Sequence, residues 1–191
     1  CYHLRLKVRS NSFADVFYKV RSEFHSYVDI EDLKVRRYRI NQHEGSTHRD
    51  ATVWFDWDAM TATYQRDGEE PQEPVTIGEG TWDPLSVVYH YRNLLDHGHE
   101  SVALPATDGK KYLQIDIESR GVDVIETQLG EFAALRVEPN TKEMKGVFEK
   151  SDDSNILMWY SNDADRFPLL IESKVIVGSF VAELKKVRGL R

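Results

Sequence analysis

Asp83, Ser86 and His90 place an acid, a hydroxyl and an imidazole three and four residues apart, so on a helix they share one face. The set invites a hydrolase reading, with the imidazole as base and the hydroxyl as nucleophile. That chemistry also needs donors for the oxyanion, and N–H groups inside a helix are already bonded to carbonyls one turn back. Asp83 is required as the helix N-cap, and no Gly-x-Ser-x-Gly elbow occurs. No catalytic residue is assigned. With Asn93 and His97, the three form a narrow polar stripe, expected to face solvent or line the mouth of a cavity.

No metal site is assigned either. His97 and His99 flank Gly98 at a helix end, where their directions are undefined, and no further His or Cys lies close in sequence. The run 152–155 (Asp-Asp-Ser-Asn) lacks the glycine and the distal glutamate of a calcium loop and reads as a hairpin turn. Arg92 interrupts the apolar part of the helix. If covered, it needs a carboxylate or carbonyl partner, which makes it an anchor first and a contact for an anionic head group second. Trp159, Asp163 and Arg166 lie in a strand that runs into an Asx-rich turn before Pro168. They are candidate contacts for a sugar or charged head group, set against plain turn architecture.

The element that positions most of these residues is a helix at about 83–97. Asp83 caps it, Pro84 fits its first position and Gly98 stops it. At about 100° per residue, Val87, Val88, Tyr91, Leu94 and Leu95 form one apolar arc, with Leu85 and Tyr89 on a second flank. Such a helix needs cover on more than one side. The rest of the chain is strand after strand: 2–8, 18–28, 35–42, 51–57, 101–106, 111–118, 122–129, 131–138, 146–150, 156–161, 169–177 and 180–187. The acidic stretch 67–74 is too short for a domain linker. The expectation is a mainly β fold: one domain, 1–191, with a large curved antiparallel sheet of roughly a dozen strands, half-open barrel or spiral, wrapped around one helix.

A net charge of −7 with both signs interspersed disfavours nucleic acid as a partner. No run reaches the roughly 20 apolar residues of a transmembrane segment. The single cysteine, Cys1, excludes a disulfide framework. Cys1 opens a segment that already alternates as a strand, so a lipid anchor there is disfavoured. No cofactor motif is present.

Several motifs occur in an order that resembles one bacterial family. They are Gly80-Thr81-Trp82-Asp83-Pro84-Leu85-Ser86 with Tyr89 and Tyr91-Arg92; Asp108-Gly109-Lys110-Lys111; Gly130-Glu131-Phe132; Trp159 with Ser161-Asn162-Asp163 and Arg166-Phe167-Pro168; and Val177-Gly178-Ser179 with Ala182-Glu183-Leu184. The family is the domain of unknown function 3108, similar to exported envelope proteins of Gram-negative bacteria. Trp82 departs from its pattern, where a smaller or polar residue is usual.

The resemblance implies a periplasmic, β-rich protein with its signal peptide removed, lacking one or two N-terminal strands of the family domain, and it supplies no catalytic residues. An unpaired sheet edge near 2–8 is then expected. The leading functional expectation is a non-enzymatic envelope protein. Phe55, Trp57, Val87, Tyr89, Tyr91 and Leu95 would line a concave apolar face for a lipid or other hydrophobic small molecule, with Arg92 at its head group. The alternatives are a carbohydrate- or peptidoglycan-binding module using Trp159, Asp163 and Arg166, or a scaffold for envelope proteins.

Overall fold

The computed structural model describes residues 1–10, 15, 18–96, 101–140, 156–175 and 178–186. Among these the chain forms twelve strands and one helix. The mainly β class, the dozen strands and the single helix are as the sequence predicts. The strands divide between two open antiparallel sheets of six.

The first sheet is built from consecutive strands: β1 (Tyr2–Arg9), β2 (Arg21–Val28), β3 (Val35–Glu44), β4 (Thr47–Asp56), β5 (Thr61–Arg66) and β6 (Val75–Thr76). Period-two alternation sets its register. Ala51, Val53 and Phe55 of β4 turn to the buried face, where they meet Tyr38 and Ile40 of β3 and Ala62 and Tyr64 of β5. Trp54 and Asp56, one residue out of phase, are left exposed. Gly45 joins β3 to β4 at φ 58°, a conformation that favours glycine. β1 is an edge strand of this sheet.

The helix α1 (Ser86–Asp96) follows. The Val87 N–H donates to the Asp83 carbonyl at 3.1 Å, the first helical bond, which makes Asp83 the N-cap and Pro84 the first helical residue. The second sheet comprises β7 (Ser101–Thr107), β8 (Tyr112–Thr127), β9 (Gly130–Pro139), β10 (Ile156–Ser161), β11 (Pro168–Val175) and β12 (Gly178–Glu183), again neighbouring in sequence order. The sequence divides β8 in two at Gly121. Instead the strand runs through a bulge between Ser119 and Val122, with Gly121 at φ 94°. The expected strand at 146–150, the turn at 152–155 and the residues His97 and His99 lie outside the described residues.

The chain forms two compact units. The first holds 1–89 and 104–114, with a core of residues from β2 to β5 joined by Ile77 and Leu85, and Trp57, Trp82 and Tyr89 packed against it. The second holds 90–103 and 115–191, where Ala134, Trp159 and Leu169 form a cluster under Phe132, Leu157 and Phe167. Burying each large apolar side chain contributes about 1.5–3 kcal/mol.

The polar stripe on the helix is corrected in one respect. Asp83 and Ser86 do not face solvent; they are 0% and 1% exposed. Ser26 of β2 covers them, its hydroxyl donating to Asp83 Oδ2. Cap geometry explains the inward turn: Oδ1 accepts from the N–H groups of Leu85 (2.8 Å) and Ser86 (3.0 Å), which fixes the carboxylate beneath the first turn.

Candidate functional site

The first unit carries an open groove of about 560 Å³ at the end of β4. It is lined by Arg36, Trp54, Phe55, Asp56, Trp57, Asp58 and Thr63. Strand pairing places Trp54 between Arg37 of β3 and Thr63 of β5. Trp54 is 48% exposed, an unusual position for so large an apolar surface. Phe55, next in the strand, points into the core and forms the floor.

Three restraints shape the end of the groove. Asp56 Oδ1 accepts the backbone N–H groups of Asp58 (3.0 Å) and Ala59 (2.9 Å), an Asx turn that turns β4 toward β5. The Trp57 indole N–H donates to the Val35 carbonyl at 2.7 Å, and its ring stacks with Phe55 at a centroid distance of 6.2 Å. Lys34 holds its ammonium 5.0 Å from the Trp57 ring centroid, at cation–π distance. Arg36 is neutralised by Asp32 at 2.7 Å and Asp29 at 3.3 Å. The Asp29 carboxyl is held below the usual carboxylate range, first by the Glu31 N–H and then by Arg36.

Among the described residues, the Trp54 indole N–H, the Asp58 carboxylate and the Thr63 hydroxyl have no hydrogen-bond partner within the protein. The groove therefore presents an aromatic face, a fixed second indole, one donor, one carboxylate acceptor and one hydroxyl. That combination stacks an apolar ring face and bonds hydroxyl groups at its edge. The Thr63 hydroxyl is not hydrogen-bonded to any base among the described residues.

The sequence-predicted site residues of the second unit are occupied by structure. Trp159 is 7% exposed and its indole N–H donates to Asp123 Oδ2 at 3.0 Å. Asp163 Oδ1 accepts from the Ser161 hydroxyl (2.7 Å) and from the N–H groups of Asp165 (3.0 Å) and Arg166 (3.1 Å). These bonds, the serine's foremost, lower the Asp163 pKa. Arg166 sits at φ 47° and donates to Asn162 Oδ1 at 2.8 Å. Arg92 Nε donates to the Asp165 carbonyl at 2.6 Å, and the guanidinium lies 4.7 Å from the Phe167 ring centroid. It ties the helix to the turn. Val87, Tyr91 and Leu95 are buried, and Tyr89 is half-buried.

A family model described as a protein of unknown function (DUF3108) matches residues 1–185. The chain belongs to that family. No curated protein matches it. Among solved structures, this DUF3108 protein is similar to a crystal structure from Brucella abortus described as a β-barrel-like protein of domain of unknown function DUF1849. The TM-score is 0.56 at 6% identity, over 88% of this chain and 73% of that one. At that identity the likeness concerns the fold alone, and neither description names an enzymatic activity. Among the described residues, no helix is long and apolar enough to cross a membrane.

The groove of this DUF3108 protein brings together two of the predicted residues, Phe55 and Trp57, with a third aromatic, Trp54, that sequence reasoning passed over. The signal was present: with Val53, Phe55 and Trp57 on one face, strict alternation sends Trp54 outward.

Proposed function

We propose that this DUF3108 protein is a non-enzymatic, periplasmic binding module that holds a saccharide of the cell envelope in the groove at Trp54. One observation carries the reading: an exposed indole, Trp54, in a groove whose lining also holds an Asp58 carboxylate and a Thr63 hydroxyl that nothing in the described protein engages. A carboxylate accepts from neighbouring sugar hydroxyls, and an indole covers the apolar face of a pyranose ring. The family resemblance supports an envelope location. Burial of Val87, Tyr91 and Leu95 favours a saccharide at the sheet end over an acyl chain along the helix.

Co-sedimentation with purified cell-wall glycan tests this. The full chain is expected to pellet with the glycan, and Trp54→Ala to weaken binding by about tenfold or more, as loss of an aromatic anchor does. A hydrophobe that survives purification and leaves on organic extraction, with no glycan binding, would replace this reading with the lipid one.

A further inference from the structure

Register on the outward face of the first sheet puts one residue from each of five strands in a row: His3, Tyr27, Arg37, Trp54 and Thr63. The His3 ring stacks on Tyr27 at 4.5 Å with an interplanar angle of 5°. The Arg37 guanidinium lies 4.1 Å from the Tyr27 centroid and 5.5 Å from that of Trp54. A cation is thus held between two rings on an open face.

What separates Arg37 from its neighbours is its lack of an anion. On the same face Arg5 pairs with Glu23, Arg36 with Asp29 and Asp32, and Arg39 with Asp67. Arg37 has neither an ion pair nor a hydrogen bond to any described residue. Packed over both rings, the guanidinium is restrained in position while its N–H donors stay unpaired, a planar fork open to an acceptor. A preset fork loses little freedom when a planar, two-oxygen acceptor docks on it.

We propose that Arg37 reads a carboxylate on the saccharide bound at Trp54, so that the ligand is an acidic sugar whose ring lies on the indole while its carboxylate engages the guanidinium. This rests on the saccharide reading above. A carboxylate fits better than a phosphate because it is planar and singly charged. Asp56 and Asp58, which line the groove beyond Trp54, oppose a dianion more strongly.

Calorimetry of the full chain with a uronic-acid oligosaccharide, its neutral methyl ester and a sugar phosphate tests the assignment. The acid is expected to bind about tenfold tighter than the ester, the scale of one charge-assisted bidentate contact. Arg37→Gln brings the acid down to the level of the ester. Arg37→Lys, a point charge without a fork, restores only part of the difference and serves as the second variant should the first misfold. Equal affinity for acid and ester in the wild type overturns the role of Arg37 and leaves the saccharide reading standing. Preference for the sugar phosphate overturns the carboxylate. Binding of none of the three overturns both readings.

Discussion

Burial takes the Asp83 carboxylate out of water, and four donors replace the water: two backbone N–H groups and the hydroxyls of Ser26 and Ser86. Desolvation outweighs these bonds, so its pKa is raised above the ordinary 3.8. The folded state then holds the proton more tightly than the unfolded chain. The associated stability is complete below pH 3.8 and is lost as pH rises through the raised value. Asp83→Asn keeps the Oδ1 cap and meets rotated serine hydroxyls with its amide. Its denaturation midpoint should match the wild type near pH 4 and exceed it increasingly toward neutrality. Asp83→Ala, which strands buried donors, should cost about 2–4 kcal/mol in urea unfolding.

Tyr91 makes the opposite case. It packs edge-to-face on Tyr160 at 6.0 Å, is fully buried, and its hydroxyl has no partner among the described residues. Burial pushes its pKa up to about 12. Removing an unsatisfied hydroxyl removes a penalty, so Tyr91→Phe should be neutral or stabilise by about 1 kcal/mol. A loss of stability on that change would show that the hydroxyl is engaged.

At the scale of elements, turn chemistry decides more than propensity. The turn from β7 to β8 inserts Gly109 against the first core: a Cβ there would lie 2.7 Å from Val53 Cγ1 and 3.1 Å from Tyr64 Cβ, at φ 83°. Gly68 has a similar φ of 78° with open space around it. Gly109→Ala combines backbone strain with overpacking and should cost about 2–4 kcal/mol, whereas Gly68→Ala should cost about 1–2 kcal/mol. Equal effects in thermal melts would mean that the turn is not seated in the core.

Strand boundaries followed from alternation, as at Ile156–Ser161, because one face of each sheet is dry. The bulge in β8 was harder to read, since a glycine at a bulge and one at a tight turn look alike in sequence. The inward turn of the polar stripe was also out of reach. It depends on Ser26, 57 residues away from Asp83 in sequence.

For the whole molecule, composition and motif order led to the family and to a β fold with one helix, and pairing in sequence order made the strands recognisable one by one. Their division into two sheets was not legible, because alternation says which face is dry and not where a ladder ends. The candidate site was half legible. Phe55 and Trp57 were identified from their apolar phase, while the exposed Trp54 and the unpaired Arg37 became visible only when register aligned strands far apart in sequence. The same register makes the outward face responsive to acid. The Glu23 pKa is lowered to about 2, mainly by its bond with Arg5, so the stability this pair supplies is present above pH 4.5 and lost as pH falls toward 2. Glu23→Gln should remove that part of the acid sensitivity in a pH titration of folding.

Of the four tryptophans, Trp54 is the one whose indole would meet the saccharide. Nitrogen-15 NMR of the tryptophan side chains, recorded while an acidic envelope saccharide is added, tests it most directly. The Trp54 indole signal, with no partner inside the described protein, should move most, and that of Trp57, tied to Val35, should move less. Trp159, bonded to Asp123, should stay in place. A stationary Trp54 signal, or a shift at Trp159 in its stead, would mean that the saccharide does not bind at Trp54.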